Sequence, residues 1–212
     1  NSKNKNCIAI IPARGGSKRI PKKNIKLFRG KPIIYYAIKV AKKSKCFDRI
    51  IVSTEDNKIA IIAKKLGAEI LFKRPKKLST DYSRSTDVIK HAIKKLDELN
   101  IKFDYICNIY PTNPLLDYKN LIKGFNFIKS NKFNYVFAVS EYPYPIQRSF
   151  KIEKGVGVKM LFSKFRNQNS NNLEKIYHDA GQFYFGKKNS FLNDKQMFNR
   201  ESFPIIIKKN HA

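Results

Sequence analysis

Near the start of the sequence, "CIAIIP" (Cys7–Pro12) runs without a charged side chain straight into "ARGGSKRIPKKN" (Ala13–Asn24). An unbroken apolar run leaves no face for water, so it belongs to a central strand covered on both sides, the usual condition of parallel sheets. Parallel neighbours cannot be joined by tight turns; each needs a crossover, normally a helix. The sequence supplies those crossovers in order. "KPIIYYAIKVAKKS" (Lys31–Ser44) carries apolar residues at helical spacing, opened by Pro32 near its first turn. "RIIVST" (Arg49–Thr54) is a second strand, "NKIAIIAKKLG" (Asn57–Gly67) a helix stopped by glycine, and "AEILFK" (Ala68–Lys73) a third strand. This rhythm predicts an α/β fold of the Rossmann-like type, three layers deep, with a mostly parallel sheet.

The alternation continues after the loop "RPKKLSTDYSRS" (Arg74–Ser85). It predicts a helix over Thr86–Asn100, a strand over Phe103–Tyr110, a break at "PTNP", a helix over Lys119–Asn131 and a strand over Tyr135–Ser140. From Glu141 the rhythm stops. A hairpin within "RSFKIEKGVGVKMLF", a polar loop "RNQNSNNLEK", and strands over Gly181–Gly186 and Phe203–Lys208 are expected there. The organisation is a single domain over residues 1–212, with 141–186 as a small inserted arm for substrate or dimer contacts.

Composition bounds the function classes. With 13% aromatic residues, the chain has the means to bury a core. No window approaches the roughly 18 apolar residues of a membrane span, and the polar opening "NSKNKN" has no signal-peptide character, so a cytoplasmic place and no membrane partner are expected. Cys7, Cys46 and Cys107 are widely spaced beside apolar residues, as for buried reduced thiols rather than metal ligands. The net charge of +28 permits a nucleic-acid binder or a site for small anions. Lysine is spread through every segment without a nucleic-acid-binding signature, so the clustered cations matter more than the total.

The clearest cluster follows the first strand. Ligands of open α/β sheets bind beyond the carboxyl ends of the strands. Gly15 and Gly16 let backbone amides approach a ligand, and Arg14, Lys18, Arg19, Lys22 and Lys23 supply charge for more than one phosphate. The spacing fits neither a Walker A loop nor G-x-G-x-x-G, and a basic solvated turn has the same composition.

At these residues the chain resembles a known family. "IPARGGSKRIPKKN" is similar to the N-terminal signature of the sugar-acid cytidylyltransferases, with "FDRIIVSTED" and "RPKKLSTDYSRS" in the expected order behind it. "EYPYPIQRSF" (Glu141–Phe150) and "YHDAGQFYFG" (Tyr177–Gly186) resemble the pseudaminic acid branch. The resemblance implies transfer of CMP from CTP to a nonulosonic acid, most simply pseudaminic acid, with Mg2+ as cofactor and a homodimer as the assembly. N-acetylneuraminic and legionaminic acids are the alternative acceptors. A non-catalytic nucleotide-binding protein and a basic nucleic-acid-binding protein are the alternatives of another class.

The resemblance implies a CTP site made by Ala13, Arg14, Gly15, Gly16, Ser17, Lys18, Asn24, Arg74 and Ser85, with Arg14 and Lys23 serving the chemistry. Gln147, Arg148, His178, Asp179 and Gln182 are the expected sugar contacts, through paired hydrogen bonds to carboxylate, hydroxyl and amide groups. A structural histidine at position 178 and a surface cation at position 148 fit the sequence too. Where the CMP-sialic acid synthetases have a glutamine before "PTSP", Tyr110 stands here before "PTNP". The family's Asp-x-Asp metal motif follows its last strand, whereas this sequence ends in "IIIKKNHA", so the metal ligands are unknown and those carboxylates are expected beyond it.

Overall fold

A computed structural model describes residues 5–130 and 132–211. Its centre is a six-stranded sheet built from β1 (Cys7–Pro12), β4 (Arg49–Ser53), β5 (Tyr105–Ile109), β6 (Tyr135–Glu141), β9 (Tyr177–Lys187) and β10 (Ser202–Ile206), in the order β10-β6-β9-β5-β1-β4. β1 pairs in parallel with β4 and β5, and β6 in parallel with β10. β9 runs antiparallel between β5 and β6 and joins the two parallel groups. Two short ribbons lie outside the sheet: β2 (Leu27–Phe28) with β3 (Lys31–Pro32), and β7 (Phe150–Glu153) with β8 (Gly157–Met160).

The strand "CIAIIP" is covered on both faces, as its composition requires. Alternate residues serve opposite layers: Ala9 and Ile11 join one core cluster, Ile8 and Ile10 the other. The first layer comes from α1 (Ile34–Ser44), α2 (Asn57–Lys65) and α4 (Tyr118–Lys129), which contribute Ile34, Ile38, Ile59, Ala63, Leu121 and Ile128. α3 (Ser85–Glu98) and the short α5 (Lys188–Leu192) cover the other face with Ile89, Ile93, Leu96 and Phe191. Two helix starts are set by local chemistry. The Asp56 side chain accepts from the Lys58 and Ile59 amides, and Asp117 accepts from Lys119.

Several elements depart from the sequence expectation. Ala68–Lys73 is not a strand: only Glu69 meets the sheet, through Val52 N to Glu69 O at 2.9 Å and Glu69 N to Ile50 O at 2.8 Å. Leu71 and Phe72 then pack against the second core cluster, and the chain turns so that the Arg74 amide donates to Thr54 O. Lys31 and Pro32 belong to the β2–β3 ribbon, so the first helix starts at Ile34. Asn131, the expected end of the fourth helix, lies outside the described residues. The arm expected over 141–186 is not one unit, because β9 begins at Tyr177 and carries core residues Phe183 and Phe185. The stretch outside the sheet is 142–176.

β9 is pinned by close packing at Gly186. A Cβ added there would lie 2.5 Å from the Phe191 ring and 2.8 Å from that of Tyr135. Gly186→Ala is therefore expected to destabilise the protein by about 1–3 kcal/mol, the usual range for overpacking. Urea denaturation checks this: the midpoint falls with the slope unchanged. An unshifted midpoint would mean that the two rings give way freely.

Candidate active site

The carboxyl ends of β1, β4 and β5 lie at one edge of the sheet, and the antiparallel β9 brings its first residues to that same edge. The loops there enclose a cleft of about 270 Å³. One wall follows β1 and presents Pro12, Arg14, Lys23 and Asn24. A second runs from Arg74 through Leu78, Asp81 and Ser83 to Ser85 at the head of α3. Tyr110, Pro111 and Thr112, after β5, form the third.

The first two walls are locked together by one partly buried carboxylate. Glu55, two residues past β4, accepts from Gly15 N at 2.7 Å with one oxygen and from the Arg74 guanidinium at 3.0 Å with the other. The Arg74 side chain is only 3% exposed. Burial would raise the Glu55 carboxyl, but the donors from Gly15, its own amide, Arg74 and Ser79 outweigh it and hold it below the ordinary range. Gly15 is required by contact, since a Cβ there would meet Asp56 Oδ2 at 2.4 Å, whereas Gly16 faces open space. The Asn24 amide closes the loop from the other side by donating to Arg14 O at 2.8 Å.

Arg14 reaches across the cleft to Asp81, which Lys18 also approaches at 3.6 Å. Those two cations lower the Asp81 carboxyl, the Arg14 hydrogen bond most of all. Lys23 is lowered by burial first, then by the positive fields of Arg14 and Arg19. On three cleft residues a buried polar atom has no hydrogen-bond partner: Arg14 Nη1, Arg74 Nε and Asn24 Oδ1. Two are cationic donors and one is an acceptor. A ligand that answers all three carries anionic oxygens together with a hydroxyl or amine.

Residues 8–210 match the sequence model of the cytidylyltransferase family. The chain belongs to that family. It is 41% identical to the pseudaminic acid cytidylyltransferase of Campylobacter jejuni over 96% of this chain and 88% of that one. It is 31% identical to the N-acylneuraminate cytidylyltransferase of Escherichia coli over 97% of this chain and 48% of that one. The fold is similar to that of a CMP-2-keto-3-deoxy-manno-octonic acid synthetase solved with CTP, at a TM-score of 0.70 and 14% identity, covering 95% of this chain and 90% of the other.

For this cytidylyltransferase, the structure brings Arg14, Lys23, Asn24, Arg74 and Ser85 into one cleft. Ala13 is buried behind it, its amide bound to Ser53 O at 2.9 Å. Gly15, Gly16, Ser17 and Lys18 form the loop above. Gln147 and Arg148 lie in the arm, where Gln147 donates to Glu174 O at 2.9 Å and Arg148 to Arg166 O and Gln168 O. His178, Asp179 and Gln182 sit at the start of β9. The His178 ring packs on Tyr142 at 4.9 Å, Asp179 binds the Tyr184 hydroxyl, and Gln182 O accepts from Tyr110 N. Sequence reasoning passed over Glu55 and Asp81. Their signal was an acidic residue beyond a strand end or between basic residues, facing a loop rich in cations.

Among the described residues no cluster of three or more His, Cys, Asp or Glu is arranged to hold a metal. Asp81 is the carboxylate that lines the cleft, and Arg14 and Lys18 neutralise it. Among the described residues, that donor set would offer a Mg2+ ion one carboxylate, with phosphate oxygens and water to supply the rest of its shell.

Removing the Arg14 guanidinium deletes a charge-assisted contact. Arg14→Ala is expected to lower kcat/KM for CTP about 10- to 100-fold. Steady-state kinetics check it, and near-normal values would remove Arg14 from the phosphate site. Lys23 gives a pH signature. Its pKa is lowered by burial and by Arg14 and Arg19, and a bound polyphosphate favours its charged form, so CTP binding at alkaline pH should take up protons that binding at neutral pH does not. Calorimetry in two buffers of different ionisation enthalpy measures that uptake, and Lys23→Met should abolish it.

Proposed function

We propose that this cytidylyltransferase transfers CMP from CTP to the anomeric hydroxyl of pseudaminic acid, releasing pyrophosphate. The observation that carries the acceptor is the 41% identity to the Campylobacter jejuni pseudaminic acid enzyme across nearly the whole chain, against 31% for the N-acylneuraminate enzyme. The anomeric oxygen bonds to the α-phosphorus, the bond to the β,γ-pyrophosphate breaks, and the hydroxyl proton leaves to solvent. Arg14, Lys23 and Arg74 act by position and charge: they hold the phosphates in line and offset charge on the non-bridging and leaving oxygens. Bound Mg2+ supplies further neutralisation of phosphate charge. Gly15 and Gly16 allow the loop to approach the triphosphate. The arm and the start of β9, with Gln147, Arg148, His178 and Gln182, form the acceptor side. The three free buried thiols suit a cytoplasmic place of reaction.

We further propose a homodimer formed through the β7–β8 hairpin. An isolated two-stranded ribbon is marginal in water. This one exposes Phe150, Ile152, Val156 and Val158, with Ile152 77% and Val156 82% accessible. A second copy of the same hairpin is the occupant of matching chemistry.

Pyrophosphate release with CTP and each of pseudaminic, N-acetylneuraminic and 3-deoxy-manno-octulosonic acids tests the acceptor. Pseudaminic acid should be used at least about tenfold better, because a site built to hydrogen-bond one set of groups strongly disfavours analogues that leave it unpaired. CTP should be preferred over UTP and the purine triphosphates. N-acetylneuraminic acid as the best acceptor would move the protein to the other branch. For the assembly, sedimentation should give a dimer that becomes a monomer on Ile152→Lys with Val158→Lys. A monomeric parent protein would contradict the hairpin interface.

A further inference from the structure

The start of β9 carries a hydrogen-bonded unit that does not touch the phosphate walls. The pairing of β6 with β9 is Phe137 to Tyr184 and then Val139 to Asp179, so extra residues of β9 bulge out between Tyr184 and Asp179. Gly181, with φ +61°, sits in that bulge, in a conformation that disfavours a side chain. The bulge folds Asp179 back over its own strand. Its carboxylate accepts the Tyr184 hydroxyl at 2.9 and 2.8 Å and the Gly181 amide at 2.9 Å. Bulges of this kind re-aim side chains beside active sites.

Both groups that Asp179 holds lead to the third wall of the cleft. Tyr184 is buried, and its ring lies 5.3 Å from that of Tyr110, which lines the cleft. The Gly181 carbonyl accepts the Asn113 side-chain amide at 2.8 Å, and the Tyr110 amide donates to Gln182 O at 2.9 Å. The Tyr110 ring and the Asn113 side chain, in the first half of the loop between β5 and α4, thus both rest on groups that Asp179 holds. The cations of the cleft lie on the other two walls, where the nucleotide phosphates belong. The third wall, with Tyr110, Pro111 and Thr112, carries none of those cations.

We propose that Asp179, through Tyr184 and the Gly181 turn, positions the Tyr110–Asn113 wall against the acceptor sugar acid, with Tyr110 as the residue that touches it. Asp179 and Tyr184 are positioning residues: they govern acceptor use without contacting the nucleotide. Burial pushes the Tyr184 hydroxyl up, and Tyr110 and Asp179 add to this, so it stays protonated and donates to Asp179 across the working pH range. The assignment rests on the proposed acceptor, and the test separates the two.

The test compares Asp179→Asn, Tyr184→Phe and their combination, all near-isosteric changes. Each single variant should raise KM for pseudaminic acid about tenfold, with the CTP dissociation constant by calorimetry within about twofold of the parent. The double variant should be no worse than either single, because the two residues act as one unit. Amide hydrogen exchange of Tyr110, Thr112 and Asn113 should accelerate about fivefold or more in both singles. Normal acceptor KM in Tyr184→Phe beside a damaged Asp179→Asn, or additive losses in the double, would mean that Asp179 contacts the sugar directly and would overturn the positioning role. If the parent protein turns over no nonulosonic acid, the acceptor assignment fails. Hydrogen exchange then still decides whether Asp179 and Tyr184 brace the wall, and unchanged exchange in both singles rejects it.

Discussion

The cleft depends on the Glu55 carboxylate, which spends one oxygen on the Gly15 amide and the other on the Arg74 guanidinium. Without that bridge, the loop after β1 and the segment entering at Arg74, both rich in positive charge, would be joined across the cleft by the more exposed contacts of Arg14 and Lys18 to Asp81. Breaking a buried ion pair on one side leaves the other charge unpaired, which typically costs about 3–5 kcal/mol. Glu55 therefore does two jobs. It neutralises Arg74, so that this side chain can be buried beside Arg14 and Lys23, and it fixes the loop whose Gly15 packs directly on Asp56. Arg14 and Lys23 carry the charge that Glu55 does not meet, Arg74 still offers its unpartnered Nε, and Arg14 meanwhile rests on Asp81. Asp81, held by Arg14 and Lys18, offers these cations the same kind of anionic oxygen that a phosphate does.

The second organising feature is the reversed strand. In a uniformly parallel sheet, the cleft edge would receive only strand carboxyl ends and the loops after them. With β9 antiparallel between β5 and β6, the amino end of a strand arrives there too, and it brings Tyr177–Gln182 beside the wall after β5. The proposed nucleotide half of the site and the proposed acceptor half are thus made by different structural devices. The first is a strand-to-loop turn locked by an ion pair; the second is a bulged strand end locked by a carboxylate, a tyrosine and a glycine turn.

Much of the architecture was legible because burial writes itself into the sequence. The apolar run of β1 and the helical spacing of Ile34, Ile38 and Ala41 each have one physical solution. Ala68–Lys73 misled because its apolar residues do pack on the core, Ala68 fully and Ile70, Leu71 and Phe72 in part, but beside the ladder rather than in it, and periodicity does not separate those outcomes over so short a stretch. The loop at the mouth of the cleft was legible from glycines and cations placed after the first strand. Glu55 and Asp81 were not, because their meaning lies in which distant cation each meets: Glu55 is 19 residues from Arg74, and Asp81 is 67 from Arg14. The expected arm was drawn too long for a related reason. "YHDAGQFYFG" carries both polar site-like residues and core phenylalanines, and only the sheet shows where one role ends and the other begins.

The central claim is that the α-phosphorus of CTP is the atom attacked, by a sugar-acid hydroxyl. Single-turnover reaction of the protein with pseudaminic acid and CTP labelled separately at the α- or γ-phosphate tests it most directly. The α-label should move into a sugar-linked product in step with the loss of CTP, while the γ-label appears only in pyrophosphate. Release of the γ-label as inorganic phosphate, or an α-label that ends in CMP or CDP with no sugar attached, would contradict the account.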